Sequence, residues 1–176
     1  MLPATAYVLL RNGFADWEAA SALAELQRTF EYSVRVIGLS SRTVVSVGGM
    51  KVTTDLTLSE FVSDSASILI LPGGDAWTEG DVPEVSQALR AVVTWVGRSL
   101  EFALPRWHWL MQVCSTIGCT LATAHRPQRS VRDSAVITAN GLAPVAFAAE
   151  IFRALVPERE ADIETYERLY SHGLMD

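Results

Sequence analysis

The stretch "SILILPGGDAW", residues 67–77, constrains the fold more than any other part of this chain. Its isoleucines and leucines form an unbroken apolar run, a pattern that suits a strand buried on both faces. The run stops at Pro72, Gly73 and Gly74, residues that end a strand and favour a turn. A strand buried on both faces needs helices above and below it. The segment "DWEAASALAELQRTF" (16–30) carries apolar residues at helical spacing with acids in its first turn, and it follows a short apolar run, "AYVLL" (6–10), closed by "RNG". Another helix is predicted over "VPEVSQALRAVVTWVGR" (82–98), with Pro83 suited to its first turn and Gly97 near its end.

The remaining segments continue the alternation. "SVRVIGL" (33–39) alternates like a strand, and "VVSVGGMKVTTD" (44–55) reads as a hairpin around Gly48 and Gly49. "SAVITANG" (134–141) is a strand ending in a turn, followed by the helix "APVAFAAEIFRALV" (143–156) and a polar helical tail over 158–171. Strands alternating with helices predict an α/β domain with a doubly wound parallel sheet and helices on both faces. The 176 residues suit a single domain, 1–176, without internal repeats or linkers.

Charge and cysteine content narrow the partners. A net charge of −6 disfavours a general nucleic-acid or anionic-membrane surface, either of which wants clustered Lys and Arg. No apolar run approaches the roughly 20 residues that span a bilayer. "ATAYVLL" has no basic leader and reads as a strand, so a soluble cytoplasmic protein is expected. Two cysteines make no disulfide scaffold and are expected as free thiols.

In doubly wound sheets, ligands bind beyond the carboxyl ends of the strands. Three such ends carry unusual residues: "GFADWE" after the first strand, "PGGDAW" after the central one and "ANGLAP" after the late one. Together with "SVGGMKVTTD", these resemble the ThiJ/PfpI superfamily, flavodoxin-like relatives of the class I glutamine amidotransferases, over residues 5–98 and 132–156. The resemblance implies a flavodoxin-like three-layer sandwich, a homodimer, and cysteine-dependent amide hydrolysis or glyoxalase-type chemistry with neither cofactor nor metal.

It also implies roles for single residues. Glu18 matches the family glutamate that partners a nucleophilic thiol, a carboxyl able to hold or tune the thiol proton. An ordinary first-turn helix acid is the other reading of Glu18. Gly73 and Gly74 match the turn whose N–H groups face an oxyanion; a plain tight turn would need the same residues. Trp77 walls the pocket mouth or simply packs there, and Asp16 is expected at or near the helix N-cap.

The family cysteine should sit in an elbow after the strand that follows Gly97, which places it at Phe102–Leu104, and no cysteine stands there. Cys114 comes about eleven residues later, roughly three helical turns on. Cys114 and Cys119 are separated by four residues, with His108 and His125 six away on either side, a spacing unlike the closely paired ligands of a zinc site. On a helix, His108 and Cys114 would point about 120° apart, which gives no support to a dyad. From Phe102 to Arg132 there is no Asp or Glu, while Arg106, Arg126, Arg129 and Arg132 make the stretch locally basic, as a nucleic-acid patch or a solvated face.

A displaced reading frame accounts for residues 99–131 better. Trp and Met have single codons, so "WHWLMQ" read two nucleotides out of phase forces Ala, Leu, then Ala or Val, a free residue, then Ala. With permitted codons, "LEFALPRWHWLMQVCSTIGCTLAT" becomes G-I-C-A-A-T-L-A-L-A-D-A-G-L-L-Y-D-R-L-H-T-S-N, which contains a cysteine elbow and an Ala- and Leu-rich helix. The expectation is a frame displaced near Arg98 and restored before Arg132. The chain as it stands is then either a catalytically impaired enzyme or a non-catalytic binding or dimerisation module. A replaced central strand and helix would also leave Trp107, Trp109 and Met111 as an aggregation liability.

Overall fold

The computed structural model describes residues 4–40, 42–75, 83–96, 100–103, 130–133, 136–139 and 141–173. The strands are β1 (Thr5–Leu10), β2 (Ser33–Gly38), β3 (Thr43–Val45), β4 (Lys51–Thr53), β5 (Leu56–Thr57), β6 (Ile68–Leu71), β7 (Leu100–Ala103), β8 (Ser130–Asp133) and β9 (Val136–Ala139). The helices are α1 (Asp16–Arg28), α2 (Pro83–Val96), α3 (Pro144–Leu155) and α4 (Glu160–His172). One sheet runs β5-β2-β1-β6-β7-β9-β8, and β3 pairs with β4 as a separate antiparallel hairpin. All neighbours in the large sheet are parallel except β8, which runs antiparallel to β9.

The apolar run at β6 is buried on both faces, as its composition demands. Ile68 and Ile70 join one core cluster with Ala6, Val8 and Leu10 of β1, Ala22 and Leu26 of α1, and Phe147, Ile151 and Phe152 of α3. Leu69 and Leu71 point the other way and are equally inaccessible, as is Leu9 of β1. Period-2 alternation thus feeds two layers from each strand. Right-handed crossovers put α1 and α2 on opposite faces, because β1 leads to β2 on one side while β6 leads to β7 on the other. The result is an α/β doubly wound, three-layer sandwich.

Most predicted elements form within a residue or two of their expected bounds. Three features depart from the sequence reading. The sheet carries an antiparallel edge strand, β8, where only parallel strands were expected, and a very short β5 extends the opposite edge. Two single-turn 3-10 helices, Leu58–Glu60 and Ser63–Ser65, fill the path from β5 to β6. Among the described residues, no helix is long and apolar enough to cross a membrane.

Candidate active site

The chain turns back at β1: β2 lies on one side and β6 on the other, so the crevice of this sheet opens beyond the carboxyl ends of β1 and β6. Both ends are built largely from main chain. The Ala15 N–H donates to the Gly73 carbonyl at 2.8 Å, and Phe14 forms an antiparallel bridge with Gly74. Gly74 has φ +119°, and a Cβ there would overlap the Gly13 carbonyl oxygen and crowd the Ala15 nitrogen. Only glycine fits this position without strain.

That main-chain lock sets the start of α1, and the first turn presents Asp16, Trp17 and Glu18 in different directions. Ala15 occupies the cap position without a side-chain cap bond. Asp16, expected as the cap or near it, is the first helical residue, and its carboxylate turns away from the helix. It accepts the Gly48 N–H at 2.8 Å in the tip of the β3–β4 hairpin. The Ser46 hydroxyl and then the Gly48 amide hold its pKa below the usual carboxylate range.

Glu18 turns inward and is 3% exposed. Its Oε2 accepts the Gly73 N–H, the amide that the family resemblance would aim at an oxyanion. Its Oε1 lies against Gly141, where a Cβ would overlap it. Burial raises the Glu18 pKa to about 7 against the opposing pull of the Gly73 amide. The group therefore exchanges its proton near neutrality, as a general acid or base needs.

Gly141 and Trp17 were not singled out by sequence reasoning, although "ANGLAP" and "GFADWE" contain them. The Trp17 indole N–H donates to the Gly141 carbonyl at 2.8 Å, joining the first turn of α1 to the turn after β9. Strand β7 ends between these groups: Phe102 pairs with Leu71 of β6, and Ala103 pairs with Ala139 of β9. Glu18, Gly73 and Gly141 thus surround the exit of β7, where the sequence reads Phe102-Ala103-Leu104.

Trp77 lies outside the described residues, as do Cys114, Cys119, His108 and His125 and most of segment 99–131. Among the described residues no group of three His, Cys, Asp or Glu side chains could hold a metal ion. A groove of about 660 Å³ opens elsewhere, between Leu39, Leu58 and Phe61 on one side and Glu84 and Gln87 of α2 on the other. Glu18, Gly73 and Gly141 do not line it.

A flavodoxin-like sheet with a buried acid and a glycine turn at its switch point defines the class of this domain. The chain belongs to the DJ-1/PfpI family, whose model matches residues 4–101, more than half of its length. The match ends at the second residue of β7. Over 174 residues the chain is 26% identical to the uncharacterized protease YoaZ of Bacillus subtilis (strain 168), covering 85% of this chain and 82% of that protein. The structure of a DJ-1 superfamily protein from Agrobacterium tumefaciens superposes with a TM-score of 0.77 at 24% identity, covering 96% of this chain and 99% of that one. Drosophila melanogaster DJ-1beta gives 0.73 at 18% identity, with 99% and 100% covered.

Proposed function

We propose that this chain keeps the acid and the glycine turn of a cysteine-dependent amidase or glyoxalase-type site without the nucleophile, and turns over neither kind of substrate. One observation carries the reading: Glu18 takes the Gly73 amide beside the exit of β7. Acyl transfer needs a nucleophile and a donor free to receive the developing oxyanion. At this exit the sequence supplies Phe102, Ala103 and Leu104 in place of a thiol, and the Gly73 donor is already occupied. The relative described as a protease supports amide hydrolysis as the ancestral chemistry.

A frame displaced between Arg98 and Arg132 explains the lost thiol. In the displaced frame the cysteine codon straddles Phe102 and Ala103, the last two residues of β7. The family match ending at Glu101 supports this placement. Sequencing the locus tests it: codons that read unbroken through 98–132, with no related in-frame gene in near relatives, count against it.

A homodimer belongs to the same reading. The exposed Val47 and Met50 of the hairpin give an apolar surface that supports it.

Amidase and glyoxalase assays on the full chain test the function. The expected result is turnover at background. Robust turnover that is lost in Glu18→Gln would overturn the proposal. A melting shift caused by a ligand, without turnover, identifies the chain as a small-molecule binding module.

A further inference from the structure

Consecutive residues of α1 close on one glycine from two sides. The Glu18 carboxyl lies against the Gly141 backbone, and the Trp17 indole holds the carbonyl of that same residue at 2.8 Å. Trp17 is 49% exposed, unusual for a side chain of this size, so burial does not explain its position. Its ordered contact is a hydrogen bond to a turn 124 residues away in sequence. Turns of this kind move readily unless their backbone is tied down.

We propose that Trp17 is the positioning residue of this site: by holding the Gly141 carbonyl, its indole keeps the glycine backbone on Oε1 of Glu18. The carboxyl is thereby pinned against the Gly73 amide and shielded from water. The assignment rests on the reading of Glu18 as the surviving acid of the site. Loss of the indole donor frees the turn after β9, admits water to Oε1 and lets the carboxyl swing off Gly73. Burial is the main influence on Glu18, opposed by the Gly73 amide, and the neighbouring carboxylate of Asp16 is engaged by the hairpin instead. A change in how Glu18 titrates therefore reports on its cover.

The test is a carbon-13 titration of the full chain with side-chain-labelled glutamate, the Glu18 resonance being identified by its absence in Glu18→Gln. The wild-type carboxyl is expected to titrate near 7. In Trp17→Phe, which keeps the ring and removes the donor, the midpoint is expected to fall by about one pH unit or more toward the ordinary 4.5. Gly141→Ala, whose Cβ would overlap Oε1, is expected to move it in the same direction and to shift the Gly73 amide resonance. A midpoint unchanged in Trp17→Phe overturns the proposal, whatever happens to its melting temperature. If Trp17→Phe does not fold, an unchanged midpoint in Gly141→Ala overturns it instead. Turnover by the wild-type chain would sink the reading of the site while leaving the titration to judge Trp17.

Discussion

The first turn of α1 faces two regions, and they treat its two acids in opposite ways. On the hairpin side, Asp16 is only partly buried and meets the Ser46 hydroxyl and the Gly48 amide, which outweigh its desolvation, and its pKa falls. On the strand-end side, Glu18 meets one amide and two glycine backbones with almost no water, and its pKa rises to about 7. Both sit where a helix N-terminus favours negative charge. Only Asp16 accepts that favour fully, so the surroundings outweigh the helix, and the drier region is the one fitted for proton exchange.

The largest expected effect comes from breaking the strand-end region at its glycine. Gly74→Ala requires φ +119° of a residue with a Cβ and drives that atom into the Gly13 carbonyl, so a loss of about 3 kcal/mol is expected. Thermal melting should record this as a drop on the order of 10 °C. Gly49→Ala in the hairpin shares a positive φ, +85°, but has nothing within 4 Å of its new Cβ. It should lose only about 1 kcal/mol. Equal losses would mean that the two regions are alike in packing.

A smaller effect separates the acids by pH. Between pH 4.5 and about 7 the unfolded chain has ionised Glu18 while the folded chain still holds the proton. The preference for the folded state is therefore complete below 4.5, declines as pH rises through 7, and is then flat. The full decline is about 3 kcal/mol. Glu18→Gln should lack this decline and melt above the wild type at pH 8, while the two should converge near pH 4. Parallel stability curves for the two proteins would show that Glu18 is not held neutral.

The smallest effect lies on the hairpin side. Asp16→Ala removes the acceptor of the Gly48 N–H, and exchange of that amide should quicken on the order of tenfold while global melting stays nearly unchanged. Hydrogen exchange resolved at Gly48 measures it. Val44 already ties the hairpin to the core, so a large fall in melting temperature would instead make the Asp16–Gly48 bond part of the global fold.

The sheet was legible because the burial of β6 is written as an unbroken apolar run, and the turn because Pro72, Gly73 and Gly74 cannot continue a strand. Strands β5 and β8 were missed for a physical reason: two to four residues at a sheet edge need no apolar pattern, and edge pairing is decided by neighbours distant in sequence. Asp16 stands next to the cap, within the expected range, but makes no capping bond because a hairpin amide competes for its carboxylate. Glu18 was found through the family resemblance carried by "GFADWE", since its place in the first turn of a helix alone reads as an ordinary acid. Its link to Gly141 through Trp17 was invisible, since an indole bonded to a backbone carbonyl 124 residues away leaves no spacing signal. The same order shows in the site: the positions fixed by main chain could be read early, and those fixed by a single side-chain contact could not.

The bond between Glu18 and the Gly73 amide has a consequence for any anion that enters. A guest can gain that amide only by evicting the carboxyl, and an evicted carboxyl in water gives up its proton near neutral pH. Association here is thus an exchange of one acceptor for another, with a proton released to the buffer. Its measured heat will depend on which buffer receives that proton.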